Sequence, residues 1–496
     1  MKKKRYHPLL IFYDLWGYVK SVFFLILILA FNYKSQTFFM KYGRYAFYLY
    51  TAITIIYFIL KWFTHQYKLG DTAFHLYKGI FNKQERTIPY SKIQNVNRHT
   101  SKFHRLFKVT SIHFETAMQG DDATVKFEVI SPMQADQMEA YIANCTHYGK
   151  RVDEAEPIVT GQSQDEKRER TVHFHPTRRD VIKASFTSLS FLVLVPILVT
   201  FYFKVNEFLN LEERAEGFIS TILSAWWLTA IMIILLVIAS IIFGMARVYL
   251  KYGKYEISSD EERIYITQGV IDETSFSILK GNVQAIEINQ SLMKRILGIV
   301  EVKLISAGNL KIDDDKLEIS SLYPFLPEKR AYEMIAEILP SFEITEDLFK
   351  LPKKSLWVRL LRPIWFLVLA SVALAYFKPA IFGIQQAWWI GIIILFIVIY
   401  VYVILSYKNT KYTLNDKFIQ IKKGGIATSQ FISKRDKIIE VKVSRSIFQR
   451  KLGIASIEIV NRANPVRHTG LDDIPVAKAS SFYTWYMDRT KEIEVE

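Results

Sequence analysis

Three times along this chain a pair of apolar segments gives way to a polar stretch that carries one recurring pattern. Self-similarity on that scale fixes the architecture before any local motif is read. Each polar stretch contains a strand-like run, Phe74–Tyr77, Ile264–Thr267 or Phe418–Ile421, followed by a turn glycine read as Gly79, Gly269 and Gly425. Fourteen residues after each stands an apolar residue, Ile93, Val283 or Ile439. A block follows that reads Ser101–Val109, Ser291–Ile299 and Ser446–Ile454. The second and third blocks share Ser-x-x-x-Arg-x-x-Gly-Ile, on Ser291, Arg295 and Gly298 and on Ser446, Arg450 and Gly453. The first keeps Ser101 and Arg105 but has Lys108 in the glycine position.

Half of the 496 residues are hydrophobic, and the excess gathers in six blocks: Leu15–Tyr33, Tyr45–Phe63, Thr187–Phe203, Ile219–Ala246, Pro363–Phe377 and Ile381–Tyr407. Each comes near the roughly 20 apolar residues needed to cross a hydrocarbon layer of about 30 Å. Two have short uncharged cores, between Lys20 and Lys34 and between Arg362 and Lys378. These cross only if Lys20 and Arg362 extend their charged ends to the headgroups. No small-residue cleavage site follows the first block, which is therefore expected to stay in the mature protein. Lys2, Lys3, Lys4 and Arg5 ahead of it, and the basic flanks of later blocks, place both termini and all three polar domains in the cytoplasm by the positive-inside rule. The loop with Glu207, Glu212, Glu213 and Glu216 then lies outside. The single cysteine, Cys145, has no partner for an internal disulfide, which fits a reducing compartment.

The expected layout follows. An N-terminal segment with the first helix pair covers 1–63 and a first domain 64–149. A polar linker takes 150–172, the second helix pair 173–248 and the second domain 249–345, and the third pair and domain cover 346–407 and 408–496. Prolines at Pro8, Pro176 and Pro352 mark brief interfacial helices entering the membrane. Period-two runs such as Val125–Ile130, Val302–Ile305 and Ile457–Val460 read as half-buried strands. Each domain closes on an amphipathic helix, Pro132–Cys145, Pro327–Leu339 or Pro475–Thr490. Six or seven short strands and one such helix make a small curved sheet or barrel with the helix over its open end.

The helix pair, the strand and glycine turn, the Ser-x-x-x-Arg-x-x-Gly block and the closing helix resemble the bacterial pleckstrin-homology-like (PH-like) domains of the YdbS/YdbT membrane proteins. Three copies with six spans are similar to the three-repeat type of that family, and the resemblance covers nearly the whole chain. It implies an α+β membrane protein of three repeats, each a transmembrane helix pair followed by a cytoplasmic PH-like domain. Lys108 departs from the pattern and weakens any expectation of one ligand common to all three domains.

No HExxH, Walker lysine loop, Gly-x-Ser-x-Gly, paired-cysteine spacing or Rossmann glycine triplet is present. No enzymatic activity, metal or cofactor is therefore expected. Asp313–Asp315 reads as a solvated hairpin tip. Within Phe47–Leu60, Thr187–Phe203, Ile219–Ala246 and Ile381–Ser406 there is no Asp, Glu, Lys, Arg or His. Transport paths usually keep one at depth, so the spans read as anchors. The net charge of +16 suits an anionic inner leaflet, and the spans favour lipid over nucleic acid as its partner. Binding candidates are Lys92, Arg98 and Lys102 in the first domain and Lys434, Arg435, Lys437 and Lys442 in the third, with a solvated basic face as the alternative. The recurring Arg105, Arg295 and Arg450 are read as structural, bonding exposed carbonyls beside a turn.

The resulting expectation is a non-enzymatic binding or scaffolding component of the cell envelope. By analogy it would protect against membrane-active agents, with a shorter single-repeat relative or a second copy as a protein partner. The alternatives are a transporter or lipid-moving protein, and a regulatory platform that recruits a partner through a sheet edge.

Overall fold

The computed structural model of the chain describes residues 3–31, 37–70, 72–80, 82–116, 124–151, 170–187, 226–306, 321–378, 387–415, 417–463 and 465–488. The third span beyond Thr187, the acidic loop after it, the start of the fourth span, the linker core 152–169 and Asp313–Asp315 lie outside the described residues. The chain divides into two compact units, Met1–Arg170 with Tyr265–Leu279, and Thr171–Ile264 with Lys280–Glu496.

The first unit opens with β1 (Lys4–Arg5), α1 (Leu10–Phe31) and α2 (Phe38–Thr64). Both helices are long and apolar enough to cross a membrane. Asp14 of α1 meets Lys61 of α2 at 2.8 Å, which pairs two charges at the same end of the helix pair. Strands β2 (Gln66–Leu69), β3 (Ala73–Lys78) and β4 (Gln84–Pro89) follow, forming with β1 a sheet in the order β1-β2-β3-β4. Then come β5 (Ile93–Thr100), α3 (Lys102–Leu106), β6 (Thr110–Thr116), β7 (Thr124–Ile130) and α4 (Pro132–Arg151). Alternation puts Phe74, Ile88, Ile112, Phe114 and Phe127 inside, where with Met138 of α4 they form one buried core. Fully burying a side chain of this size contributes about 1.5–3 kcal/mol. Tyr6 stacks on Phe127 at 5.4 Å, so the segment before the first span is part of the domain.

Repeat two runs through β8 (Thr171–Phe174), α5 (Arg178–Thr187), α6 (Trp226–Tyr252), β9 (Glu256–Ser259), β10 (Arg263–Gln268) and β11 (Glu273–Leu279). It continues with β12 (Val283–Gln290), α7 (Leu292–Ile296), β13 (Ile299–Ser306), β14 (Ser321–Pro327) and α8 (Glu328–Ile338). Repeat three begins with β15 (Phe349–Lys350), α9 (Lys353–Leu361), α10 (Ile364–Phe377) and α11 (Ala387–Asn409). It ends with β16 (Lys411–Leu414), β17 (Phe418–Lys423), β18 (Thr428–Lys434), β19 (Ile438–Ser444), α12 (Ile447–Leu452), β20 (Ile454–Asn461), β21 (Arg467–Pro475) and α13 (Val476–Asp488). Lys353–Phe377 and Trp388–Asn409 are again long and apolar enough to span.

The sheets do not stop at repeat boundaries. In the first unit β11 adds antiparallel to β5, from Thr100 opposite Glu273 to Asn95 opposite Ile278. In the second unit β18 adds to β12 in the equivalent register, from Gln290 opposite Thr428 to Ala285 opposite Ser433. A sheet of order β14-β13-β12-β18-β17-β16-β15 results, and β19-β20-β21 stands as a separate sheet. This joint explains why Tyr265–Leu279 falls in the first unit.

Several sequence readings shift. The third turn glycine is Gly424, not Gly425: Gly79, Gly269 and Gly424 have φ of 110°, 98° and 130°. An added Cβ there would come within 1.8, 2.0 and 2.0 Å of Asn82, Asp272 and Ala427 carbonyl oxygens, so only glycine fits. Fourteen residues beyond Gly424 stands Ile438, which begins β19 as Ile93 and Val283 begin β5 and β12. The linker over 150–172 is shorter than read, because Arg151 ends α4 and Thr171 starts β8. A short helix of its own, α9, forms after Pro352 at the start of the apolar stretch that continues as α10, whereas the residues after Pro8 run straight into α1.

Candidate functional site

The Ser-x-x-x-Arg-x-x-Gly block is a one-turn helix with a built start and stop. Ser101, Ser291 and Ser446 are the N-caps of α3, α7 and α12, each hydroxyl accepting from the amide three residues on. The helices exit through Lys108, Gly298 and Gly453 at φ of 53°, 65° and 72°. Lys108 therefore keeps the left-handed conformation that glycine takes in the other copies. The arginine reaches across the joint to the next repeat. Arg105 Nη1 donates to the Val270 carbonyl at 2.9 Å and lies 3.6 Å from Glu273. Arg295 Nη2 donates to Thr428 Oγ1 at 3.4 Å. Among the described residues the Arg450 side chain makes no hydrogen bond or ion pair, and so holds none of the carbonyls expected of it in its own domain.

Above α12 the third helix pair is riveted to its domain by a buried carboxylate. Asp473, fully buried in β21 and held at φ 67°, accepts from Arg359 Nε at 3.2 Å, Arg362 Nη2 at 3.4 Å and Gln449 Nε2 at 2.7 Å. Arg359 also donates to Ser406 and Thr410 near the end of α11. A buried charge persists only when its lone pairs are filled this way.

Beside this network opens a cleft of about 910 Å³ in the second unit, lined by the first turn of α7, the β17–β18 turn, the β21 strand and the adjoining ends of α10 and α11. Its cationic side chains are Lys294, Arg359, Arg362 and Lys423, against the acidic Glu301 and Asp472. Lys294 is engaged with Glu301 at 2.8 Å and Arg362 with Asp472 at 3.4 Å. Trp365, Phe366 and Tyr402 line the side continuous with the apolar helices. The cleft thus joins a polar, positively biased floor to an aromatic wall on helices long and apolar enough to cross a membrane.

The cations singled out from sequence lie elsewhere. Arg98 is held by Asp136 at 2.6 Å, and the Lys102 amide donates to Asp272 at 3.0 Å, both in the first unit. Lys92 is exposed in the turn that precedes β5. Lys434 sits 4.8 Å over the Phe342 ring, where burial lowers its pKa, and Arg435 faces Trp485 at 5.6 Å. Lys437 pairs with Asp436 and Lys442 with Glu458. The structure does not bring these seven into one site. Sequence reasoning missed Arg359, Gln449, Asp472 and Asp473; the available signal was the Asp-Asp pair between Leu471 and Ile474, with Arg359 and Arg362 three residues apart ahead of an apolar block.

Fold and site together define a membrane protein of repeated PH-like domains. The chain belongs to the bacterial PH domain family, which it matches over residues 17–145, 195–340 and 365–490. It is similar to the UPF0699 transmembrane protein YdbT of Bacillus subtilis (strain 168), with 22% identity over 430 residues covering 86% of each chain.

Proposed function

We propose that the chain is a membrane-anchored binding scaffold rather than an enzyme, with its PH-like domains on the cytoplasmic face, and that the cleft beside Asp473 holds the headgroup of an anionic phospholipid. The observation that carries this reading is the cleft itself. Four cations face two carboxylates, Arg359 and Arg362 are pre-positioned by Asp473, and an aromatic wall continues onto spanning helices. A headgroup phosphate would take Lys423 and the exposed side of Arg362 while its acyl chains lie along Trp365 and Phe366. A scaffold of this kind suits protection of the envelope against membrane-active agents.

The test uses the full chain in nanodiscs of neutral lipid doped with phosphatidylglycerol, with retained lipid counted by native mass spectrometry. The double variant R362Q/K423Q is expected to retain anionic lipid at least about tenfold less well, since each cation near an anionic surface is worth about 1 kcal/mol. K437Q, outside the cleft, is expected to behave as wild type. Equal retention by all three proteins, or equal retention of neutral lipid, overturns the reading.

A further inference from the structure

Among the described residues, the strand that receives the next repeat has no such neighbour in repeat three. β5 takes β11 and β12 takes β18, but among the described residues β19 pairs with the single strand β20 and forms the edge of its sheet, with the Tyr486 hydroxyl donating to the Ile439 carbonyl. Its exposure changes with its position. β12 buries seven of its eight residues, whereas β19 buries only Ile438 of its seven. Just beyond, Ile447 is 73% and Phe448 60% exposed. Arg450 stands where Arg105 and Arg295 reach into the incoming hairpin.

An edge strand with alternating apolar residues and open backbone groups is a template for another strand. We propose that β19 and Arg450 form a docking edge for an acidic β-strand of a separate protein, which pairs antiparallel with β19 as β11 pairs with β5. The internal joint specifies the register. Thr100 and Gln290 face the first residue of the incoming strand, Glu273 or Thr428, and the same place in repeat three is Arg445. In the first joint the incoming turn is itself acidic, Asp272 accepting from the Lys102 amide and Glu273 meeting Arg105. Around β19 stand Lys442, Arg445, Arg450 and Lys451, with Glu440 on the strand and Glu458 beside Lys442.

Charge decides against a second copy as the occupant. In this register the free β4 edge of another molecule would set Lys83 opposite Arg445 and Arg86 opposite Lys442. Like charges directly opposite are destabilising, and neither internal joint contains such a pair.

The full chain in nanodiscs is titrated with a backbone-cyclised, fluorescent peptide of Arg263–Leu279, the hairpin that fills the first joint, and with the same peptide carrying D272K/E273K. Saturable binding of the acidic peptide is expected, weaker by at least about tenfold for the reversed peptide and for the protein variant K442E/R445E/R450A. V441P, which removes a ladder donor, is expected to abolish binding. The surface triple variant guards against misfolding as the cause. No binding, or equal binding of both peptides to wild type and triple variant, overturns the proposal. Concentration-dependent oligomers of wild type that K442E/R445E/R450A disperses also overturn it, by assigning the edge to a second copy.

Discussion

Lys108, Gly298 and Gly453 hold one backbone conformation at the exit of three short helices. An added Cβ at Gly453 meets nothing within 4 Å, so the cost of a side chain there is conformational alone. Gly453→Ala is expected to destabilise its domain by about 1–2 kcal/mol. Gly424→Ala should cost clearly more, because its Cβ would press on the Ala427 carbonyl. Comparing the two by heat-induced loss of protease protection in the intact chain checks the order, and equal losses refute it. A second prediction concerns Glu115, buried between β5 and β6 and accepting from Asn95 at 2.9 Å and Asn97 at 2.6 Å. Burial pushes its pKa from 4.5 up to about 7, against the two amide hydrogen bonds that favour the charged form. Because the folded value is the higher, this group's stabilising contribution is complete below about pH 4.5 and is lost as pH rises through about 7. Glu115→Gln is expected to flatten the fall in melting temperature between about pH 5 and about pH 8 and to melt above wild type at the upper end. An unchanged slope would refute it.

Among the elements, those made by local chemistry were the legible ones. Turn glycines, period-two strands, the closing helices and the serine caps all follow from residues near one another in sequence. The joint of β5 with β11 and of β12 with β18 was not legible, because an edge strand looks the same whether solvent or another repeat lies beside it. β12 itself mixes Val283, Ala285, Ile286 and Ile288 with Gln284, Glu287, Asn289 and Gln290, so its composition does not mark it as a strand covered on its edge. The cleft was missed for a related reason: its residues come from α7, β18, β21 and two membrane helices, and no spacing rule links them. The recurring arginine was noticed, but its partner lies one repeat away. Arg105→Ala is therefore expected to raise hydrogen exchange in the Gly269–Glu273 turn by an amount equivalent to about 1 kcal/mol, the net worth of a lost hydrogen bond. Arg450→Ala should leave exchange in its own domain unchanged. A drop in protection around α12 in that variant would restore the intradomain role.

For the whole molecule, the helix pairs and the basic flanks argue one orientation. Reporters fused near Gln162, Asp313 and Glu496 are expected to be cytoplasmic and one near Glu212 external. An external signal at any of the first three would end the three-inside arrangement and with it the placement of the cleft at an inner leaflet. The conserved register of the joint has another consequence. Each repeat carries a strand that receives and a hairpin that is received, so the array has polarity, like a row of couplings with a hook at one end and an eye at the other. Thr100 stands to β5 as Gln290 does to β12, and Glu273 to β11 as Thr428 does to β18. A gene that lost its middle repeat would bring β5 against β18 without shifting a single pair, and one that duplicated it would insert a ready-made link. Repeat number is thus free to drift through recombination while the joint itself stays fixed.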